Sequence, residues 1–237
     1  MLVTEVVPRS LETADAATDA GREWLSARYR RDDSAYVRLN MITSLTGAAS
    51  GADGTSETLT SRVDRAVLGA IRRDADVVLV GAQSVRTEGY VVPKTAHLAV
   101  VTTSGRLDGH RLELEAEAAA RVLLIVPEAC ADGIAEHAGL SGVRVLAIPA
   151  DERLDPRAIV AALIAEGLPR IVCEGGPSLA GQFADAGVID EYCVTVAPTI
   201  DPAEGAFLPV RARVDTHVAG MLVDEAGFSY LRLRPQG

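Results

Sequence analysis

The sequence predicts an α/β protein with a mainly parallel twisted sheet flanked by helices and an antiparallel C-terminal strand. Three observations carry that expectation. Short apolar runs recur along the chain, and most end at glycine, proline or hydroxyl residues. Segments with helical spacing separate several of them, which is the pattern of parallel strands buried on both faces. The tail Phe228–Arg234 instead alternates apolar and polar residues, the mark of a half-exposed antiparallel strand.

In chain order, Ala14, Ala17, Trp24 and Leu25 are spaced helically among charges, so residues 12–30 read as an amphipathic packing helix. The expected organisation is a helical extension over residues 1–35 followed by a single domain over 36–237. Val37, Leu39, Met41 and Ile42 form the first strand, and a glycine-rich turning loop follows at Gly47, Gly51 and Gly54. Ser61 then caps a helix running to Arg73, whose apolar face is Val63, Ala66, Val67, Ala70 and Ile71.

Six further runs read as strands: Asp76–Gly81, Leu98–Val101, Arg121–Val126, Val143–Ile148, Ile171–Cys173 and Tyr192–Ala197. Asp155–Glu166 and Ser178–Ala186 read as helices between them. In open sheets of this kind ligands sit beyond the carboxyl ends of the strands, so residues just after each run are the candidates for chemistry.

Composition narrows the function classes. The 237 residues carry a net charge of −10, with 48% hydrophobic and 24% charged side chains. That is ordinary globular usage and excludes a wholly disordered chain. An acidic protein lacks the basic face of a general nucleic-acid binder. Cys130, Cys173 and Cys193 form neither a disulfide framework nor a zinc motif, which points to a reducing compartment. With no signal-like start and no long apolar run, a cytoplasmic location without a membrane partner is expected. His97, His110, His137 and His217 lack metal-ligand spacing, so no metal is expected.

Three loops stand out. In Glu174-Gly175-Gly176-Pro177-Ser178-Leu179 a strand meets two glycines and a helix that starts with proline. Glycine lets a ligand approach the backbone, and helix N–H groups favour phosphate; a tight unliganded turn has equal weight from spacing alone. Thr102-Thr103-Ser104-Gly105-Arg106 offers hydroxyls and a guanidinium at a strand end, although taken alone it reads better as a capped loop. Gly81, Ser84 and Glu88 follow another strand, with Glu88 either accepting ligand hydrogen bonds or standing as an exposed loop carboxylate.

Taken in order, Ser44-Leu45-Thr46-Gly47 with Gly54-Thr55-Ser56, then Val80-Gly81-Ala82-Gln83-Ser84, then Glu174–Leu179, the chain resembles the reductase domain of the deaminase–reductase enzymes of riboflavin biosynthesis. The likeness runs from about Tyr36 to Pro198, without the zinc deaminase signature. It implies a stand-alone reductase with a dihydrofolate reductase-like fold, NADPH as cofactor and a homodimeric state. The implied substrate is 5-amino-6-(5-phosphoribosylamino)uracil or a related pyrimidine.

The same resemblance distributes the roles. The backbone at Ile42 and Thr43 lies against the cofactor, and Gly81, Ser84 and Glu88 contact it. Thr103, Ser104 and Arg106 meet its adenosine end, and Gly175, Gly176, Pro177, Ser178 and Leu179 cradle its pyrophosphate. Ser56 and Arg72 hold the substrate, while Glu174 and Asn40 order its polar groups as catalytic candidates. Asn40 replaces a lysine usual in the family, Thr46 an aspartate and Thr58 a tryptophan. Those departures leave two alternatives open: reduction of a dihydrofolate or pterin, and a non-catalytic NADPH-binding protein.

Overall fold

Among the described residues, eleven strands join in one sheet, which helices cover on both faces, in the computed structural model. It describes residues 1–112, 114–150, 153–203 and 205–236. The elements run β1 (Leu2–Val7), β2 (Thr13–Asp15), α1 (Asp19–Tyr29), β3 (Tyr36–Ser44), α2 (Arg62–Arg73), β4 (Val77–Gly81), α3 (Ala82–Thr87), β5 (His97–Val101) and α4 (Ala116–Ala119). They continue with β6 (Val122–Pro127), α5 (Ile134–His137), β7 (Arg144–Ile148), α6 (Pro156–Ala165), β8 (Arg170–Gly175), α7 (Pro177–Asp185), β9 (Glu191–Ala197), β10 (Thr216–Asp224) and β11 (Ser229–Pro235).

The strand order is β2-β1-β10-β11-β9-β3-β8-β4-β5-β6-β7. Every pairing from β9 through β3 to β7 is parallel, whereas β11, β10, β1 and β2 pair antiparallel at the other end. The apolar runs are nearly continuous because both faces are buried. Val78, Val80, Leu98, Val100, Val122 and Leu124 face the side covered by α1 and α2. Their neighbours Val77, Leu79, Ala99, Val101, Leu123 and Ile125 face α6 and α7.

Helix starts follow the local chemistry. Ser61 caps α2 by accepting the Asp64 N–H at 3.0 Å, and Asp155 caps α6 by accepting the Arg157 N–H at 2.9 Å. Pro177 occupies the first turn of α7, where Gly176 provides no side-chain cap.

The N-terminal expectation is corrected in part. A helix is present over Asp19–Tyr29, but β1 and β2 precede it and β1 pairs with β10. Val3 and Glu5 point into the protein along β1. The partner strand lies more than two hundred residues away in sequence, which is why local periodicity could not show it. The strand β10 was also missed; its alternation is broken by a bulge between Val218 and Gly220. Residues after Gly81, read as a loop, form the short helix α3.

Candidate active site

The carboxyl ends of β3, β4, β5 and β8 converge, and two cavities open there. The first has a volume of about 260 Å³ and is walled by β3, α2, α3 and the end of β8. The second, about 240 Å³, lies between the start of α3, the loop after β5 and the start of α7. They share Ser84, Gly176 and Pro177.

Glu174 owes its position to a bulge. Leu79 of β4 is opposite Cys173, whereas Val80 is opposite Gly175, so Glu174 is the extra residue. Such a bulge re-aims a side chain, and the carboxylate turns into the first cavity. Gly175 completes the turn at φ +80°, the left-handed region that favours glycine. A Cβ there would also sit 2.6 Å from Met41 Sδ.

Arg72, from the last turn of α2, donates to both Glu174 oxygens: Nε to Oε1 at 2.7 Å and Nη2 to Oε2 at 2.5 Å. Tyr90 donates its hydroxyl to Oε2 at 2.6 Å. Burial works against the Arg72 charge, but hydrogen bonding and attraction from Glu174 hold its pKa above the ordinary value. Burial, reinforced by the Glu174 charge, pushes the Tyr90 phenol well above its ordinary value. Arg72 and Glu174 therefore engage each other directly at the cavity wall.

Ser56 donates to Glu88 from its backbone N–H at 3.2 Å and its hydroxyl at 3.1 Å, tying the glycine-rich loop to the end of α3. Thr46 anchors the same loop elsewhere, accepting the Asp201 N–H at 3.0 Å. Asn40 and Ile42 line the first cavity from β3. Thr43 is buried and its hydroxyl donates to the Ser44 carbonyl at 3.0 Å; its side chain lines neither cavity.

The second cavity is lined by Gly81, Ser84, Thr103, Gly176, Pro177, Ser178 and Leu179. The Ser84 hydroxyl accepts the Gly176 N–H at 2.9 Å, joining α3 to the start of α7. With Gly176 offering no side-chain cap, the first-turn N–H groups of Ser178 and Leu179 remain for a ligand. Ser104 and Arg106 line a different cavity of about 340 Å³, with Cys130, Asp132 and His137. The hydroxyl–arginine loop is thus divided between two hollows.

Several cavity residues were not anticipated. Thr60, Asp64 and Leu68 line the first cavity and, with the anticipated Arg72, recur every four residues along α2 and the turn before it. That spacing is a legible signal: it places them on successive turns beside the apolar face Val63, Val67, Ala70 and Ile71. Tyr90 had no such signal, because only the folded loop brings it to Glu174.

A family model of the RibD C-terminal domain matches residues 35–201, most of the chain. The chain belongs to that family. Among curated RibD C-terminal relatives, the riboflavin biosynthesis protein RibD of Mycobacterium tuberculosis is 27% identical over 179 residues, covering 76% of this chain and 46% of that protein. The chain thus spans about half the length of the curated relatives it matches. Two solved structures share the fold. A pyrimidine reductase-like protein of Corynebacterium diphtheriae superposes with a TM-score of 0.74 at 23% identity, over 86% of this chain and 92% of that one. The riboflavin biosynthesis reductase Rib7 of Saccharomyces cerevisiae has a TM-score of 0.69 at 14% identity, over 94% and 100%.

This RibD C-terminal domain also has no helix, among its described residues, long and apolar enough to cross a membrane. Nor do the described residues contain a cluster of three or more metal-ligating side chains.

Proposed function

We propose that this protein is an NADPH-dependent reductase of a small nitrogen heterocycle, related to the pyrimidine reduced in riboflavin biosynthesis. The observation that carries this reading is the wall of Ser84, Gly176 and Pro177 shared by two cavities. A ligand bound along one cavity can present a reactive end to a molecule in the other.

The residues present fit a dinucleotide. A Cβ at Gly176 would come within 3.2 Å of Ser84 Oγ, so the bare backbone keeps the passage open. Ser178 and Leu179 offer their N–H groups to a pyrophosphate, and Gly81 and Thr103 line the same hollow. NADPH, when bound, supplies the hydride.

The chain's own residues orient the heterocycle. Met41 and Ile42 provide apolar contact, and Asn40 offers both a donor and an acceptor. Glu174 already accepts three hydrogen bonds, from two Arg72 N–H groups and Tyr90. That favours a positioning role for Glu174 over proton delivery. The protein is proposed to act on small molecules as a cytoplasmic homodimer, without a nucleic-acid or membrane partner; sedimentation tests the dimer.

The direct assay follows NADPH consumption with the phosphoribosylaminouracil and with a dihydropterin, beside nucleotide-binding measurements with NADPH and NADH. Binding of NADPH with turnover of a heterocycle is the expected result. Absence of both binding and turnover overturns the reading.

A further inference from the structure

The end of the sheet away from the two cavities carries a surplus of positive charge. Arg38, Glu191, Arg232 and Arg234 share one face of the adjacent strands β3, β9 and β11. Glu191 is the carboxylate on which the three arginines converge. Arg38 donates to its Oε2 through Nε at 2.8 Å and Nη2 at 2.7 Å, which matches the charge. Arg234 Nε then donates to Oε1 at 3.1 Å, and Arg232 Nη1 stands 3.9 Å from the same oxygen. Asp190 and Asp215 are engaged elsewhere, accepting from the Val37 N–H at 2.7 Å and from Arg213 Nε at 2.8 Å. The charges of Arg232 and Arg234 are thus left over, in a chain whose net charge is −10.

The acceptors run out before the donors do. Arg38 is fully buried, yet its Nη1 has no hydrogen-bond partner among the described residues. Among the same residues Arg232 has no acceptor within hydrogen-bond distance, although its side chain is only 14% exposed. Its guanidinium lies over the Tyr29 ring, 5.4 Å from the centroid, and against Gly220. A Cβ at Gly220 would collide with Arg232 Nη2, so the bulge that sets Gly220 opposite Arg232 makes room for the guanidinium. His217, exposed on β10, is opposite Arg234 and extends the row of donors. Cations held this close repel one another until a further anion joins them.

We propose that Arg232 and Arg234 form a phosphate-type oxyanion site at the end of the sheet opposite the reductase cavities, with Arg38 as its buried positive base. The anion docks on the solvent side, where Arg234 is 43% exposed and Arg232 keeps one edge open. Glu191 fixes both side chains through a single oxygen and leaves their outer N–H groups for the ligand. A guanidinium offers two parallel donors to an oxyanion, a geometry that suits phosphate better than chloride. The site is independent of the reductase reading.

Thermal melts and hydrogen–deuterium exchange test this with inorganic phosphate and with ribose 5-phosphate, each titrated against chloride at constant ionic strength. Millimolar concentrations keep clear of the general stabilisation that phosphate exerts by exclusion from protein surfaces. Parallel samples contain NADP+, which removes any phosphate response arising at the nucleotide hollow. The expected result is a saturable rise in melting temperature with slower amide exchange in β10 and β11, both unchanged by NADP+. Arg232→Gln should weaken phosphate binding roughly tenfold and abolish the local protection. Arg234→Gln, at the more exposed of the two arginines, should weaken it by a similar factor. A response to either ligand supports the site, and the tighter of the two identifies its source. Equal stabilisation of the wild type and both variants overturns the proposal, as does protection confined to other segments or the absence of a saturable response. Failure of NADP+ to bind bears on the cofactor reading instead, and the exchange pattern still decides this one.

Discussion

Arg72 and Glu174 meet in a two-pronged ion pair although 102 residues separate them in sequence. The pair joins the last turn of α2 to the bulged end of β8, with Glu174 only 5% exposed and Arg72 25%. It closes the polar wall of the first cavity. Glu174→Gln removes the charge and one strong acceptor, leaving a part-buried guanidinium mismatched. We expect a stability loss of about 1–3 kcal/mol in denaturant melts. Catalytic efficiency with NADPH should drop at least tenfold, about 1.4 kcal/mol of transition-state stabilisation. Tyr90→Phe, which keeps the ring, should cost less on both measures.

Gly175→Ala tests the backbone of the bulge. Alanine at φ +80° incurs roughly 1–2 kcal/mol of left-handed strain. Its Cβ would also displace Met41, which lines the first cavity. Thermal denaturation should report the strain, and KM for the heterocycle should rise. A variant with wild-type stability and KM would contradict the bulge geometry.

Ser84→Ala removes the acceptor of the Gly176 N–H. Loss of that part-buried hydrogen bond costs about 1 kcal/mol. Because Gly176 opens α7 at the shared wall, NADPH affinity should weaken by about tenfold, which equals about 1.4 kcal/mol. Titration of the variant with NADPH measures that directly.

The opposite end of β3 makes a pH prediction. Glu191 is fully buried, accepting from Arg38 Nε at 2.8 Å and from Arg234 Nε at 3.1 Å, with Arg232 nearby. Burial pushes its pKa up, but the arginines outweigh it and hold the carboxylate below its ordinary value. A lowered folded pKa contributes stability that is fully present above the unfolded value. The contribution is lost as pH falls through the folded value. Wild-type melting temperature should therefore fall below about pH 4.3, the ordinary glutamate value. Glu191→Gln should cost roughly 3–5 kcal/mol at pH 7 by stranding the fully buried Arg38. The difference between the two proteins should narrow as the pH falls.

Much of the parallel core was legible because its signals are local. The runs from Val77, Leu98, Val122 and Ile171 are apolar on both faces, and Ser61, Asp155 and Pro177 mark helix starts within a few residues. The convergence of β3, β4, β5 and β8 at one edge followed from that architecture. The strand β1 was not legible because its partner β10 lies far away in sequence, and β10 because a bulge between Val218 and Gly220 breaks its alternation.

The candidate site divides in the same way. Its ingredients, from Asn40 and Ser84 to the Glu174–Leu179 turn, were marked in the sequence by residues that follow strands. The residues' partners were not. Arg72 was expected to hold the substrate and Glu88 to contact the cofactor; that folding also sets Arg72 on Glu174 and Glu88 on Ser56 could not be seen in the sequence.

By itself, then, the sequence determined the strand-and-helix order and the edge of the sheet where ligands gather, since periodicity and capping act over a few residues. Tertiary structure alone decided which polar groups share the first cavity. That set depends on a bulge at Glu174, a helix stripe through Asp64 and a loop carrying Tyr90, three segments whose meeting is a property of the folded chain.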